Sequence, residues 1–432
     1  MHHPMTYSKS PILSTFWFSA IFSIVAVIYI GLIFNYSSIG FFLLVIGSVL
    51  MAIVGYSIAM IPRVPPVKAM SSTVRFNIVV GLVALLGIAA IYYDRTVLRG
   101  IDYNHIGIAA ARAELNRVGE RGGLISNFGN LFSVAIYLPL INLVFDWEKW
   151  SRGRYIVFII VILGLAGLTY LTAGRTVILV AIALAAAAMF GRGATGMRRM
   201  PSFLTTGRLV ASLVAILILF GMIFALRADA FGAANAGDYL SQLCIHLSQP
   251  AIEIMSQCSS TIYTGGTAWI NDIMNYATAV ILYAFHVAWV SDAIITDGDQ
   301  GVVITFTGIQ SLFLSRFGYQ VAITDYDGYF IPAASGLVHD FGYPIMISVF
   351  AFTGFLLGIC QRAMESGRIF FGRIAFCYLN SALLLSLLIS PLSLPFYILS
   401  IMAIGFIGAL AKVFAIFGMN THDRASSWRS AV

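Results

Sequence analysis

The chain has 432 residues, of which 59% are hydrophobic and only 10% are charged. Soluble proteins average about 25% charged residues, so a soluble globular domain is excluded. The apolar residues fall in runs long enough for a helix to cross a hydrocarbon core about 30 Å thick. The formal net charge of +7 must therefore be read against a membrane, and the class is an all-α polytopic membrane protein. Ten spans are expected, at residues 16–34, 39–60, 77–93, 125–145, 155–171, 176–190, 209–226, 344–360, 369–389 and 396–417.

The first span follows a short polar start without a small-residue cleavage site, which reads as an anchor rather than a removed leader. Orientation follows the Lys and Arg residues of the loops. With the N-terminus inside, the inner segments hold 17 of the 25 basic residues against four acids, Asp146, Glu148, Glu365 and Asp423. Both termini are then cytoplasmic. The outer segments hold the other eight basic residues and fourteen acids. The positive charge is thus mostly topology, and no nucleic-acid partner is needed to explain it. All four lysines lie inside. The outer basic residues are Arg95, Arg99, Arg112, Arg117, Arg121, Arg175, Arg227 and Arg316. Arginine offers a planar fork that grips phosphate in two places and keeps its proton.

Three parts follow along the chain. Residues 1–226 form a seven-helix membrane part with a short outer loop at 94–126. Residues 227–343 form a large outer loop with partly re-entrant helices. Residues 344–432 form a three-helix membrane part and a cytoplasmic tail. In the short loop, residues 109–118 are helix-prone, and Gly119, Gly122 and Gly123 mark the exit.

The stretch from 155 to 190 is apolar apart from one charge, Arg175. As one helix its 36 residues would run about 54 Å, so it must fold back. The turn falls at TAGRT, where Gly174 permits it and Thr172 and Thr176 can satisfy loose backbone groups. That puts Arg175 at the tip of a hairpin on the outer face. An ionisable residue there marks a site or pathway, or else snorkels to lipid phosphates. The same alternative stands for Arg227, which ends the seventh span. Arg316 sits on an amphipathic stretch where a solvated face is the bland reading.

Within the large loop, residues 274–294 are apolar enough to suggest a span. A span here would turn Arg362, Arg368 and Arg373 outward, and His286 and Asp292 interrupt it. The expectation is a re-entrant or interfacial helix. Cys244 and Cys258 would stand about 21 Å apart on one straight helix, beyond bridging, whereas a hairpin at Pro250 would allow a disulfide; Cys360 and Cys377 read as inert thiols in spans. Asp297 with Asp299, and Asp325 with Asp327, have the spacing of divalent-ion or sugar-hydroxyl ligands, and paired aspartates are also ordinary turn chemistry. The seven histidines show no zinc spacing, and no metal is expected. The loop ends in His339 and Asp340, just before Gly342. At a membrane boundary such a histidine can act as a base near neutral pH with the carboxylate orienting it, or the aspartate can be an interfacial cap.

LTAGRTVILV, followed two spans later by a long loop ending LVHDFGYPIMISVFAFTGFLLG, resembles the Wzy-type oligosaccharide repeat-unit polymerases of bacteria. In that family an arginine sits in a short turn and a DFG leads into a Gly-rich span after the large outer loop. The ten-span architecture with inside termini is also similar, and the motif likeness itself covers about 30 residues. The resemblance implies a GT-C-like fold, similar to membrane glycosyltransferases that use lipid-linked sugars. It implies an enzyme of the bacterial inner membrane with its site facing the periplasm. Its substrate would be undecaprenyl-pyrophosphate-linked oligosaccharide and its product O-antigen, capsule or exopolysaccharide. Membrane lipid, a flippase and a chain-length regulator are the implied partners, and no cofactor is. The residues expected at the reacting centre are Arg175, Arg227, His339 and Asp340. Those expected on the substrate are Arg95, Arg99, Arg112, Arg117, Arg316 and Tyr329. One departure stands out: where the family has a polar NxYT-like stretch before DFG, this chain reads GYFIPAAS, with Tyr329 or Ser335 in its place. The alternatives are an O-antigen ligase and a transporter or flippase of lipid-linked sugars. A transporter would be expected to carry repeated halves, and no repeat is found. No P-loop or Rossmann fingerprint is present.

Overall fold

The computed structural model describes residues 10–61, 74–101, 124–148, 151–172, 175–195, 233–251, 261–297, 303–313, 329–365 and 370–409, with positions 197, 228, 254 and 257 besides. Every regular element among them is helical. In chain order these are α1 (Pro11–Phe34), α2 (Ile39–Met60), α3 (Val74–Tyr93) with a π-turn at Asp94–Leu98, α4 (Leu124–Ser133), α5 (Tyr137–Phe145), α6 (Arg152–Thr172) and α7 (Arg175–Ala194). There follow α8 (Ala236–Ser248), α9 (Ala268–Phe285), α10 (Val287–Asp297), α11 (Thr307–Phe313), α12 (Ala333–Glu365) and α13 (Phe370–Leu385), and then α14 (Pro395–Ala409).

Among the described residues, eight helices are long and apolar enough to cross a membrane, which makes this a membrane-embedded multi-pass protein. They coincide with seven of the ten expected spans, the first to sixth and the eighth. The ninth and tenth fall on the shorter apolar helices Gly372–Leu385 and Pro395–Ala409. The seventh, at 209–226, lies outside the described residues. The remaining candidate, Ala268–Thr296, is the stretch expected to be re-entrant or interfacial.

The helices are built for lipid. α1 turns Trp17, Phe18, Ile21 and Leu32 outward and buries Thr15, Ser19, Ser23 and Ala26. Between membrane helices, close packing and interhelical hydrogen bonds replace the hydrophobic drive that water supplies. Thr15 donates to Asn380 Oδ1 at 2.8 Å, and Asn142 donates to Asn77 Oδ1 at 2.8 Å, so α1 is tied to α13 and α5 to α3.

The closest approach is between α2 and α12. A Cβ on Gly55 would stand 1.8 Å from the carbonyl oxygen of Ala351, and one on Gly354 would stand 1.9 Å from that of Ala52. The two backbones touch there, and Tyr56 donates to Gln361 Oε1 at 2.5 Å just beyond. Gly354→Val is expected to lower stability by about 1–3 kcal/mol or more, the cost of overpacking. Gly47→Val on the same α2, where a Cβ meets nothing within 4 Å, is expected to be neutral; thermal unfolding in detergent compares them.

α3 and α6 run parallel, and their contacts mark the two ends of the bundle. Gly153 at the start of α6 lies against Val74 at the start of α3, and at the opposite end Arg95 donates to the Leu171 carbonyl. Near the end of α7, Gly191 lies against Phe145 and Phe376. From there α7 runs back about 24 Å to Arg175, while α13 runs in the same direction to Leu385. Arg175 and the segment after α13 therefore share one end.

The opposite end is stitched by charges. Arg192, which α7 carries inside its last turn, is 1% exposed. It pairs with Glu148 at 2.5 Å, donates to the Phe145 carbonyl and lies 4.7 Å over the Trp147 ring. Arg373 lies 4.5 Å over the Phe145 ring, and Arg154 stands 3.6 Å from Asp146. These basic residues, read from the sequence as orientation signals, also lock the α5–α6 connection onto α7 and α13. Desolvated charges must be paired and hydrogen-bonded in this way to be tolerated.

A second cluster joins α8, α9 and α10 to the ends of α1 and α2. Trp289 donates to the Leu247 carbonyl at 2.8 Å and packs on Phe34, and Phe285 packs between Phe22 and Tyr29. Cys244 is disulfide-bonded while Cys360 and Cys377 are free; Cys258 lies outside the described residues. α9 is apolar outward, through Trp269, Ile273, Met274 and Ile281. Its inward Asn275 holds both the N–H and the carbonyl of Tyr263, at 2.8 and 3.2 Å. Such polarity suits a helix whose free face meets lipid. At the α9–α10 junction, His286 is fully buried. Its Nδ1 donates to the Tyr283 carbonyl at 2.7 Å, and its Nε2 accepts from the Phe330 N–H at 3.1 Å. With both nitrogens occupied, this histidine is a neutral strut.

Candidate functional site

α6 ends at Thr172 and α7 begins at Arg175, so the fold-back at TAGRT is made in two residues. Both flanks are held from neighbouring helices. On the α6 side Arg95 donates to the Leu171 carbonyl, one of the last carbonyls of a helix, where a cation is favoured. On the α7 side the Tyr137 hydroxyl donates to the Val177 carbonyl at 3.1 Å. Arg95 itself stands on the π-turn after α3, a local over-widening common near functional positions. There Asp94, 2% exposed, pairs with Arg99 Nε at 2.9 Å. Arg95 and Arg99, expected on the substrate, thus have protein partners: one holds the end of α6, the other its own turn.

At the same end, three segments meet around Asp340. Its Oδ2 accepts from the Thr305 N–H at 2.8 Å and its Oδ1 from the Ile304 N–H at 3.0 Å. The same Oδ1 stands 2.9 Å from His339 Nδ1, which donates to it. The two side chains are 2% and 0% exposed. Ser390 fastens the third segment: its hydroxyl donates to the Thr305 carbonyl at 3.1 Å and its N–H to the Ile331 carbonyl at 2.8 Å. Ala333 N–H donates to the Ser386 carbonyl at 3.0 Å. Asp340 therefore works as an acceptor that binds the 304–305 backbone to α12 and leaves His339 oriented. A histidine held at Nδ1 by a carboxylate presents its Nε2 lone pair as a base.

The rest of the DFG triplet has a mechanical reading. Phe341 packs on Phe306 with ring centroids 5.9 Å apart. Gly342 has φ 79° and ψ 171°, a region open essentially to glycine alone. It breaks α12 into a short helix carrying His339–Asp340 and a long one that begins near Pro344. The glycine thus sets the angle at which the dyad meets the bundle.

Tyr329 is 6% exposed. Its hydroxyl donates to the His246 carbonyl at 2.6 Å and meets Gln249 Oε1 at 3.2 Å, and its ring stacks on the His246 ring at 4.9 Å. Burial pushes the Tyr329 phenol up and the His246 imidazole down, so the pair is held neutral and the phenol stays a donor. Here Tyr329 pins the end of the large loop to α8. Arg112, Arg117, Arg227 and Arg316 lie outside the described residues, as do Asp299, Asp325 and Asp327; Arg175 is placed by its backbone.

Comparison with family models, with curated proteins and with solved structures returns no match. What the chain does must be argued from its own residues.

Several residues of the site carried no signal in the sequence. Thr305 and Ser390 are ordinary loop residues until the fold sets them against Asp340. Tyr137 reads as one aromatic among many in an apolar span. The only local hint was the Ser390–Pro391 pair, which marks a chain turn.

Proposed function

We propose that the chain is a membrane glycosyltransferase that joins undecaprenyl-pyrophosphate-linked oligosaccharide repeat units into a surface polysaccharide, at the periplasmic face of a bacterial inner membrane. The observation that carries the reading is the His339–Asp340 dyad, clamped on backbone N–H groups at the same end of the bundle as the Arg175 hairpin. One end then carries a candidate base and an arginine, the two groups that this transfer needs. The motif resemblance, from TAGRT to DFG, supports the same assignment.

In the proposed reaction the acceptor sugar hydroxyl gives its proton to His339 Nε2. Its oxygen bonds to the anomeric carbon of the donor chain. The bond between that carbon and the pyrophosphate oxygen breaks, and its electron pair leaves on undecaprenyl pyrophosphate. Asp340 holds the imidazole in its basic tautomer and steadies the imidazolium. Arg175 faces the charge that grows on the leaving group, where a fixed donor in a dry site is most effective. The energy is stored in the pyrophosphate link, so the reaction draws on no nucleotide. Because His339 is covered, the cover over its Nε2 must open when substrate arrives, as in other enzymes gated by conformational steps.

Cells lacking the chain are expected to display single repeat units but no long chains on a polysaccharide gel. Loss of every repeat unit from the surface would mean failed export and would favour a transporter.

A further inference from the structure

Two buried hydroxyls beside the dyad have no hydrogen-bond partner among the described residues: Thr305 Oγ1 and Ser335 Oγ. Both residues are 1% exposed. A helical serine normally back-bonds to a carbonyl one turn earlier, and a buried polar group left unmade costs about 1–3 kcal/mol. Two such groups on the segments that meet at Asp340 call for a physical reason.

Their positions supply one. Ser335 and His339 are four residues apart on the short first helix of α12, hence on one face with Cβ atoms about 5–6 Å apart. Long helical side chains lean toward the helix N-terminus, so the imidazole lies over the turn that carries Ser335. Gly336 and Asp340 form the adjoining row. Thr305 closes on it: its N–H is bound by Asp340, and its Oγ1 would stand 2.8 Å from a Cβ on Gly336. The absence of a side chain at 336 is what lets this hydroxyl come so near the helix. Thr305 cannot swing away, because Ser390 holds its carbonyl at 3.1 Å. Two hydroxyls, each able to donate and to accept, thus lie on the segments around His339, whose Nδ1 is held by Asp340 so that its Nε2 is the atom left for a ligand.

We infer that Ser335 and Thr305 form, with His339 Nε2, a subsite for a hydroxyl-bearing ligand, and that in the proposed reaction this ligand is the acceptor sugar at the hydroxyl that attacks. The inference rests on the glycosyltransferase reading and adds to it the residues that choose and aim the acceptor. One hydroxyl donates to a lone pair of the acceptor oxygen or accepts from the neighbouring sugar hydroxyl, while His339 takes the reacting proton. A site built to pair with a hydroxyl discriminates strongly against an analogue that lacks it.

The test uses the full-length protein in detergent or vesicles, with Ser335→Ala and with Thr305→Val, which keeps the threonine shape. Removing an unpaired buried hydroxyl does not weaken the free protein, so both variants are expected to keep or raise the unfolding temperature. Chain growth on a lipid-linked repeat unit is expected to fall about three- to tenfold for each, the worth of one hydrogen bond. The loss should appear as a higher KM for the acceptor repeat unit. Variants that unfold at lower temperature with growth unchanged would mean that the hydroxyls hold a structural water, and would overturn the inference. So would unchanged growth at unchanged stability. His339→Ala, run in parallel, separates this result from the underlying reading: if His339→Ala is inactive while the hydroxyl variants are fully active, the subsite alone fails. If His339→Ala is also active, the glycosyltransferase reading fails with it.

Discussion

Arg175→Ala is expected to abolish chain growth while the protein accumulates normally, with turnover lower by about 10²–10³, the usual loss when a fixed donor to a developing anion is removed. Arg175→Lys should be nearly as inactive. The reason is geometric. α7 starts at Arg175, two residues after α6 ends, and both flanks of the fold-back are held, by Arg95 at the Leu171 carbonyl and by Tyr137 at the Val177 carbonyl. Arginine offers a planar fork that can meet the leaving pyrophosphate in two places, and lysine offers a single point charge in its place. A residue that merely snorkels to lipid phosphates would tolerate lysine, so full activity of Arg175→Lys would remove Arg175 from the reacting centre. The assay is the chain-length ladder together with the amount of protein in the membrane.

His339 and Asp340 are expected to separate into a chemical and a structural role. His339→Gln should keep the fold and lower turnover by about 10²–10⁴, the range for loss of a general base. Asp340→Asn should do both kinds of damage. Asparagine turns an N–H₂ toward backbone N–H groups that now meet a carboxylate at 2.8 and 3.0 Å, so the 304–305 segment loses an acceptor. The unfolding temperature should drop along with activity, by an amount matching about 1–3 kcal/mol for a buried donor left unpaired. Equal thermal stability of the two variants would contradict the clamp. Equal, undiminished activity would contradict the base.

Much of this architecture was legible in the sequence because lipid imposes simple rules. A helix must be about 20 apolar residues long to cross, so a longer apolar stretch broken by TAGRT can only be a hairpin, and the structure makes it with two connecting residues. The eighth span was expected to begin at residue 344, just after Gly342, and the backbone turns at that glycine with φ 79°. What stayed hidden depends on contacts between segments far apart in the chain. Arg192 looked like an ordinary loop cation, yet it sits inside α7 against Glu148 and Trp147. Arg95 looked free to meet substrate, yet it reaches a carbonyl 76 positions along the chain. Asp340 could be read as a helix cap or a catalytic group. Its partners at Ile304 and Thr305, 36 and 35 positions away, are set only by the packing of three segments. The stretch 268–296 has the length and composition of a span, and its inward asparagine and outward Trp269 are consistent with a lipid-facing helix.

The most direct test of the central claim is the surface polysaccharide ladder, measured in cells that lack the chain and again after each form is restored. The account predicts single repeat units without the chain, a full ladder with the wild-type protein, and single units again with Arg175→Ala present at normal level. A full ladder in cells without the chain, or a ladder restored by Arg175→Ala, would contradict it.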